Sequence, residues 1–234
     1  FYCLIYMNYS KFYLYWFRRL SRTIGLTKIL YPFVYGKRYE SKVEPKLNSS
    51  VKIGDIAWDI GANMGLYTKI LSTLVGEKGF VRAFEPHPKT FSKLKENIKN
   101  TNIEIHNIGF SAKVEKVKFS DSNNHDLNSI VDNSYTGKFL EVNITTIDKV
   151  IIEKNWRIPN VIKIDVEGYE LDIIKGMNST LYDKNLRFLL IEIHHNIMDK
   201  RKINNGAQQI EKTLEKANFN ISWIDPSHLV AIRK

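Results

Sequence analysis

The stretch Asp59-Ile-Gly61-Ala-Asn63-Met-Gly65 follows a short apolar run and opens an amphipathic one, and no other feature constrains the chain as tightly. Gly61 and Gly65 let the backbone turn sharply and approach a ligand closely. The helix start behind them offers free N–H groups and the positive end of a dipole. Such a turn belongs between a strand and a helix of an open α/β sheet, where nucleotide-like ligands lie across the carboxyl ends of the strands. The neighbouring sequence keeps to that plan. Asp55 to Ile60 reads as a strand, and Gly65 to Val75 as a helix ended by Gly76 and Gly79. Phe80 to Phe84 reads as a second strand, Pro88 to Asn100 as a helix with proline at an early position, and Ile103 to His106 as a third strand. This β-α-β-α-β order predicts a parallel sheet with right-handed crossovers. Further strands are expected at Val161–Ile164, Phe188–Ile193, Phe219–Trp223 and Leu229–Ile232, with helices at Tyr169–Met177 and Asn205–Ala217. Val114–Phe119 and Leu140–Ile144 read as strands of an insertion or hairpin near the site's rim, separated by the polar loop DSNNHDLNS.

Glycine spacing alone also fits an ordinary strand-to-helix turn. The second strand ends in Glu85, about 20 residues past the loop, where a dinucleotide fingerprint places its ribose-binding acid. A carboxylate there can accept hydrogen bonds from both ribose hydroxyls. NAD and S-adenosylmethionine share that requirement, so the spacing by itself does not separate them.

Four blocks in order, DIGANMGLYT, GFVRAFEPHPKTFSKLKENIKN, IKIDVEGYELDIIKGM and LLIEIH, resemble the FkbM-type methyltransferases over roughly residues 50–195. The resemblance implies an α/β, Rossmann-like class I methyltransferase fold: a seven-stranded, mostly parallel sheet with helices on both faces. It implies S-adenosylmethionine as cofactor and methyl transfer to a hydroxyl oxygen of a small molecule, sugar, glycan or lipid-linked sugar. Position by position, Asp59, Gly61, Asn63 and Gly65 match the cofactor loop and Glu85 the ribose acid. Asp165, Glu167, Gly168 and Glu170 match the DVEGxE block, and Glu192 and His194 match the EIH strand end. Gly109-Phe110-Ser111 stands where the family has a small residue and Ser after the third strand, and the Phe departs from that pattern.

Methyl transfer to a hydroxyl gains most from holding nucleophile, carbon and sulfur in line, and it needs a group to take the hydroxyl proton. Asp165 and His194 fall at strand ends facing the carboxyl edge. His194 titrates in the useful range and is the first choice of base, with Asp165 next and Glu192 beside them. A strand-end histidine satisfied by a backbone carbonyl is the competing reading. Asp165, Glu167, Glu170 and Glu192 also gather acids. They suit a divalent cation, the acceptor's hydroxyls, or the N-terminus of the following helix. With no His-x-x-x-His or cysteine pattern, no tight metal site is expected.

Charge assigns the remaining regions. Residues 1–50 hold nine basic and two acidic side chains, so +7 of the net +10 lies there and +3 is left for residues 51–234. A domain with so little excess charge is not expected to carry a wide nucleic-acid groove. Residues 1–50 are expected to be an aromatic, basic helical segment and linker, the linker being ESKVEPKLNSS (40–50), ahead of a methyltransferase domain at 51–234. Residues 1–39 contain no acid, and their rings beside Arg18, Arg19 and Arg22 suit either packing on the domain or peripheral contact with a membrane. Cys3 is the single cysteine, so neither an internal disulfide nor a cysteine metal cluster is available, and a cytoplasmic location, with membrane association through residues 1–39, is the expectation. The competing functional classes are an RNA methyltransferase and a non-catalytic, membrane-associated cofactor-binding protein.

Overall fold

The computed structural model describes residues 42–121, 130–131 and 135–234, so the expectations for residues 1–39 lie outside the described residues. The first described element is a helix, α1 (Val43–Ser50). Residues 43–50 of the stretch expected to be a linker are therefore helical, and the proline is the reason the sequence misleads. Pro45 occupies the first turn, where a missing N–H costs nothing. Val43 and Leu47, four residues apart, share one face and are buried at 1% and 0% exposure.

The main sheet is built from β1 (Ile56–Ile60), β2 (Phe80–Phe84), β3 (Ile103–His106), β8 (Val161–Ile164), β9 (Phe188–Glu192), β10 (Phe219–Trp223) and β11 (His228–Arg233). Its strand order is β10-β11-β9-β8-β1-β2-β3. The strands from β9 to β3 pair in parallel, and β11 runs antiparallel to both β9 and β10. The expected seven-stranded, mostly parallel sheet is thus present. The chain order reverses between β1 and β8, which opens a crevice at the carboxyl ends of those strands.

Alternation along the strands divides the core between the two faces. Ile56, Trp58 and Ile60 of β1 join Ile162 and Ile164 of β8 on one face. That face is covered by α4 (Ile147–Lys154), α5 (Glu170–Lys175) and α7 (Gly206–Lys216). Ala57, Val81, Val161 and Phe188 point the other way, against α1 and α2 (Leu66–Val75). On that side α3 (Pro88–Asn97) also packs, through Leu94. The sequence carries no plain signal for α4. Its start is set by Thr146, whose side chain accepts from the Lys149 N–H at 3.1 Å, a cap without the glutamate that usually advertises one. A six-residue helix, α6 (His195–Lys200), follows β9.

The expected rim insertion is a second sheet of order β4-β7-β5-β6. Here β5 (Glu115–Ser120) and β7 (Phe139–Thr145) form a long antiparallel pair, with β6 (Ile130–Val131) at one edge and β4 (Gly109–Phe110) at the other. Trp58 ties the insertion to the main sheet, its ring 4.8 Å from Phe84 and 6.1 Å from Phe110 between centroids.

If α1 is part of the domain, Leu47→Ala destabilises it by about 2–5 kcal/mol, the cost of emptying a closed core site, measured by denaturant unfolding. A loss below about 0.5 kcal/mol, the range of a surface change, would mean that the helix does not dock.

Candidate active site

Three of the five residues from Gly61 to Gly65 hold the left-handed conformation: Gly61 at φ +80°, Asn63 at +46° and Gly65 at +89°. The two glycines serve different ends. A Cβ on Gly61 would lie 1.7 Å from the Asp165 carbonyl oxygen, so only a bare backbone fits where β1 and β8 splay apart. A Cβ on Gly65 would press on Leu94 at 2.8 Å and Ile98 at 3.0 Å, so this glycine lets α3 close on the start of α2. Asp59 also works behind the loop. It is fully buried, and its Oδ2 accepts from Thr68 Oγ1 at 2.6 Å while Oδ1 lies 3.4 Å from Lys163 Nζ.

Glu85 stands at the end of β2 and lines the cleft together with Gly61 and Asn63. Its Oε2 accepts from the Asn63 N–H at 3.1 Å and its Oε1 from the His87 N–H at 3.0 Å. Burial pushes its pKa up to about 7 against the pull of those two bonds. Phe110, Phe119, Ile130 and Ile144 form an apolar wall beyond it, a surface suited to a flat heterocycle. Gly109 and Phe110 thus reach the cleft, while Ser111 is buried outside the lining. Glu85, the bare Gly61 turn and the apolar wall together fit S-adenosylmethionine: the carboxylate for the ribose, the turn for close backbone approach, the wall for the adenine.

Asp165, Val166, Glu167 and Tyr169 line the opposite end of the cleft. Glu167 is itself left-handed at φ +53°. Glu170 is completely buried; its Oε1 accepts from the Gly168 N–H at 2.8 Å and meets His194 Nδ1 at 2.8 Å. The helix-start role expected for Glu170 is therefore combined with a grip on the imidazole. The other ring nitrogen, Nε2, lies 3.4 Å from Glu167 Oε2 and 3.8 Å from Asp165 Oδ1. Burial works against charging His194, but the Glu170 hydrogen bond and the surrounding carboxylates outweigh it and raise its pKa to about 9. His194 is thus cationic at neutral pH and satisfied by carboxylates rather than by a backbone carbonyl. Glu192 adds its charge to the acids around Glu167 and also meets a second histidine. Its Oε2 is 3.5 Å from His228 Nε2, and His228 Nδ1 is held by Asp225 at 2.9 Å.

Lys163 escaped the sequence reading. Its Nζ sits 3.2 Å from Asp165 Oδ2 and 3.4 Å from Asp59 Oδ1, over the Tyr67 ring. Burial favours the neutral amine, but the two aspartates prevail and hold its pKa above the usual lysine value. The signal was present: a lysine interrupts the buried run Val161–Ile164, and the β1–β8 register sets Asp59 opposite it. Tyr169 and Phe119 line the cleft without any motif to announce them.

A nucleotide sheet of the NAD type has parallel strands in the order 3-2-1-4-5-6; here an antiparallel strand, β11, lies between β9 and β10. With the glycine turn and Glu85 at adjacent strand ends, this topology defines a class I S-adenosylmethionine-dependent methyltransferase domain. Residues 59–221 match the methyltransferase FkbM domain. Hexuronic acid methyltransferase AglP of Haloferax volcanii is 33% identical over 171 residues, which are 70% of this chain and 66% of that protein. Methyltransferase 1 of Beauveria bassiana is 22% identical over 148 residues, 53% of this chain and 59% of its own. The matched region thus falls just short of two thirds of the length of each relative. A crystal structure from Clostridium thermocellum described as an rRNA-methylase superposes with a TM-score of 0.54 at 14% identity, over 83% of this chain and 94% of that one. That likeness is one of fold alone. The chain belongs to the FkbM methyltransferase family.

Ionised Glu85 is the better acceptor for ribose hydroxyls. In the cofactor-free protein its ionisation costs stability: the contribution is whole below pH 4.5 and is lost as pH rises through about 7. Cofactor binding to the charged form therefore strengthens as pH rises through the same range. Calorimetry with S-adenosylhomocysteine is expected to give affinity about tenfold weaker at pH 6 than at pH 8, and Glu85→Gln to bind weakly with no such slope. A wild-type affinity flat across that range would exclude Glu85 as the titrating ribose ligand.

Proposed function

We propose that the protein transfers a methyl group from S-adenosylmethionine to an oxygen of a sugar acceptor, and that the acceptor is a uronic acid or a glycan bearing one. The observation that carries this reading is the cleft itself, which runs from the ribose acid Glu85 to the polar wall of Asp165 and Glu167. The cofactor-side chemistry fits the family, and the acceptor class follows the hexuronic acid methyltransferase that the domain resembles.

When bound, S-adenosylmethionine supplies an electrophilic methyl on a positively charged sulfur. The chain's own part is to place an acceptor oxygen against Asp165, to exclude water with the apolar wall, and to take the proton. Transfer would exchange the sulfur–methyl bond and the acceptor's O–H bond for an O–CH3 bond, with S-adenosylhomocysteine as the leaving group and the hydroxyl proton passing to the Asp165 carboxylate. His194, already protonated at neutral pH, acts from Nε2 as a donor that orients the carboxylates, so the first choice of base gives way to the second. Lys163 fixes the other Asp165 oxygen, and with it the direction from which the free oxygen meets the acceptor.

With labelled S-adenosylmethionine and uronate-containing oligosaccharides, the product is expected to be an alkali-stable methyl ether, identified by mass spectrometry. An alkali-labile ester would move the nucleophile to the sugar's carboxylate and dispense with the proton acceptor. Asp165→Asn is expected to lower kcat about 100-fold or more, the usual size of a general-base effect, with cofactor affinity changed less than about threefold. Equal loss of both would make Asp165 a cofactor ligand.

A further inference from the structure

The acceptor end of the cleft poses an electrostatic problem. Asp165 and Glu167 line it, and Glu170 is buried behind them. A uronate, the acceptor class on which this inference rests, must bring its own carboxylate to a wall of acids. The cations already named there are committed. Lys163 lies between Asp59 and Asp165, and His194 among Glu170, Glu167 and Asp165. One further cation reaches this wall. We propose that Arg201 receives the carboxylate of the uronate and so decides which sugars the protein accepts.

Arg201 directly follows α6, and Gly168 is what lets α6 close on the wall. Gly168 is left-handed at φ +91°, and a Cβ on it would lie 2.4 Å from the Ile197 side chain. The helix therefore packs directly on the segment 165–169, and Arg201 reaches back across that segment from the helix end. The guanidinium carbon stands 3.5 Å from the centroid of the Tyr169 ring, a stacked cation–π contact, and Tyr169 itself lines the cleft. Nη1 donates to the Gly168 carbonyl oxygen and to Asp172 Oδ2, the latter at 2.7 Å. Both bonds fall on one nitrogen. Among the described residues Nε and Nη2 donate to nothing, and the side chain keeps 25% of its surface exposed. Nε and Nη2 form one edge of the planar guanidinium, the edge that matches a carboxylate with two parallel hydrogen bonds. Stacking on Tyr169 and the two bonds at Nη1 hold the plane in place, so little freedom is lost when a carboxylate arrives. Lys200 and Lys202 flank Arg201, both exposed, and add to the attraction for an anion.

The test compares binding of methyl glucuronoside and its neutral counterpart, methyl glucoside, to the full chain with saturating S-adenosylhomocysteine, by ligand-observed NMR. The wild-type protein is expected to favour the uronate by about tenfold or more, the worth of a charge-assisted pair. Arg201→Gln is expected to lose that preference, and Arg201→Lys, which keeps the charge but not the fork, to lose most of it. Asp172→Asn removes the ion-pair partner through which Arg201 fastens the segment and is expected to keep the preference. Wild-type melting temperature and S-adenosylhomocysteine affinity verify that each variant is folded, and Arg201→Lys carries the test if Arg201→Gln does not fold. A preference undiminished in a folded Arg201 variant overturns the assignment. Loss of the preference in Asp172→Asn as complete as in Arg201→Gln overturns it as well, since Arg201 would then act only by holding the segment. Uronate methylation that is indifferent to Arg201 would refute the anchor and keep the acceptor. Uronate binding that depends on Arg201, with no methyl transferred to any sugar, would keep the anchor and refute the reaction. A wild-type protein with no preference for the uronate overturns the anchor, whether or not it methylates a neutral sugar.

Discussion

Lys163 stands in the middle of a sheet whose other inward residues are mostly apolar, with its Nζ between Asp59 at 3.4 Å and Asp165 at 3.2 Å. Among the described residues no other lysine or arginine is buried. Desolvating an ammonium costs several kcal/mol, and only close opposite charges offset it. The arrangement therefore works as a unit, since removing either aspartate leaves charge stranded in the interior. Asp59 holds the first turn of α2 through Thr68, and Asp165 lines the cleft. Through Lys163 the position of the glycine turn and that of the Asp165 wall become one geometric fact, set by the pairing of β1 with β8.

From that pair outward the cleft changes character. Toward β2 it is apolar, with a lone carboxylate, Glu85, whose raised pKa reflects its dry surroundings. Toward β9 it is ionic, with carboxylates interleaved with His194 and, farther back, His228. The two imidazoles have pKa values raised to about 9 for the same reason, capture between acids that outweighs burial. A cofactor that carries positive charge at its reacting atom would lie with its methyl-bearing end beside the ionic half and its heterocycle in the apolar half, so the gradient of polarity would orient it.

The strands and the glycine turn were legible because their signals are local: apolar runs of four or five residues, glycines at fixed spacing, an acid at a strand end. That Gly61, Asn63 and Glu85 line one cleft could be read for the same reason. Elements whose cause is tertiary were less visible. Helix α1 looked like a linker because Pro45 and its polar neighbours hide the two residues, Val43 and Leu47, that dock it. Helix α4 starts on a threonine cap with no glutamate to mark it. The acceptor side depends on which acids meet in space. Nothing in the order of residues shows that Glu170 turns inward to grip His194, or that Glu192 turns instead to His228.

The rim sheet leaves the main sheet at β4 and returns at β7, and those two strands pair with each other, Phe110 beside Thr145. The excursion between them begins and ends at one place, already fastened by backbone bonds. Lengthening such a closed loop adds entropy cost only slowly, by about 0.6 kcal/mol for each doubling. Phe119 and Ile130, which line the cleft, ride on it. The wall is therefore a detachable module in evolutionary terms: it can be grown, trimmed or exchanged while the main sheet beneath keeps its register.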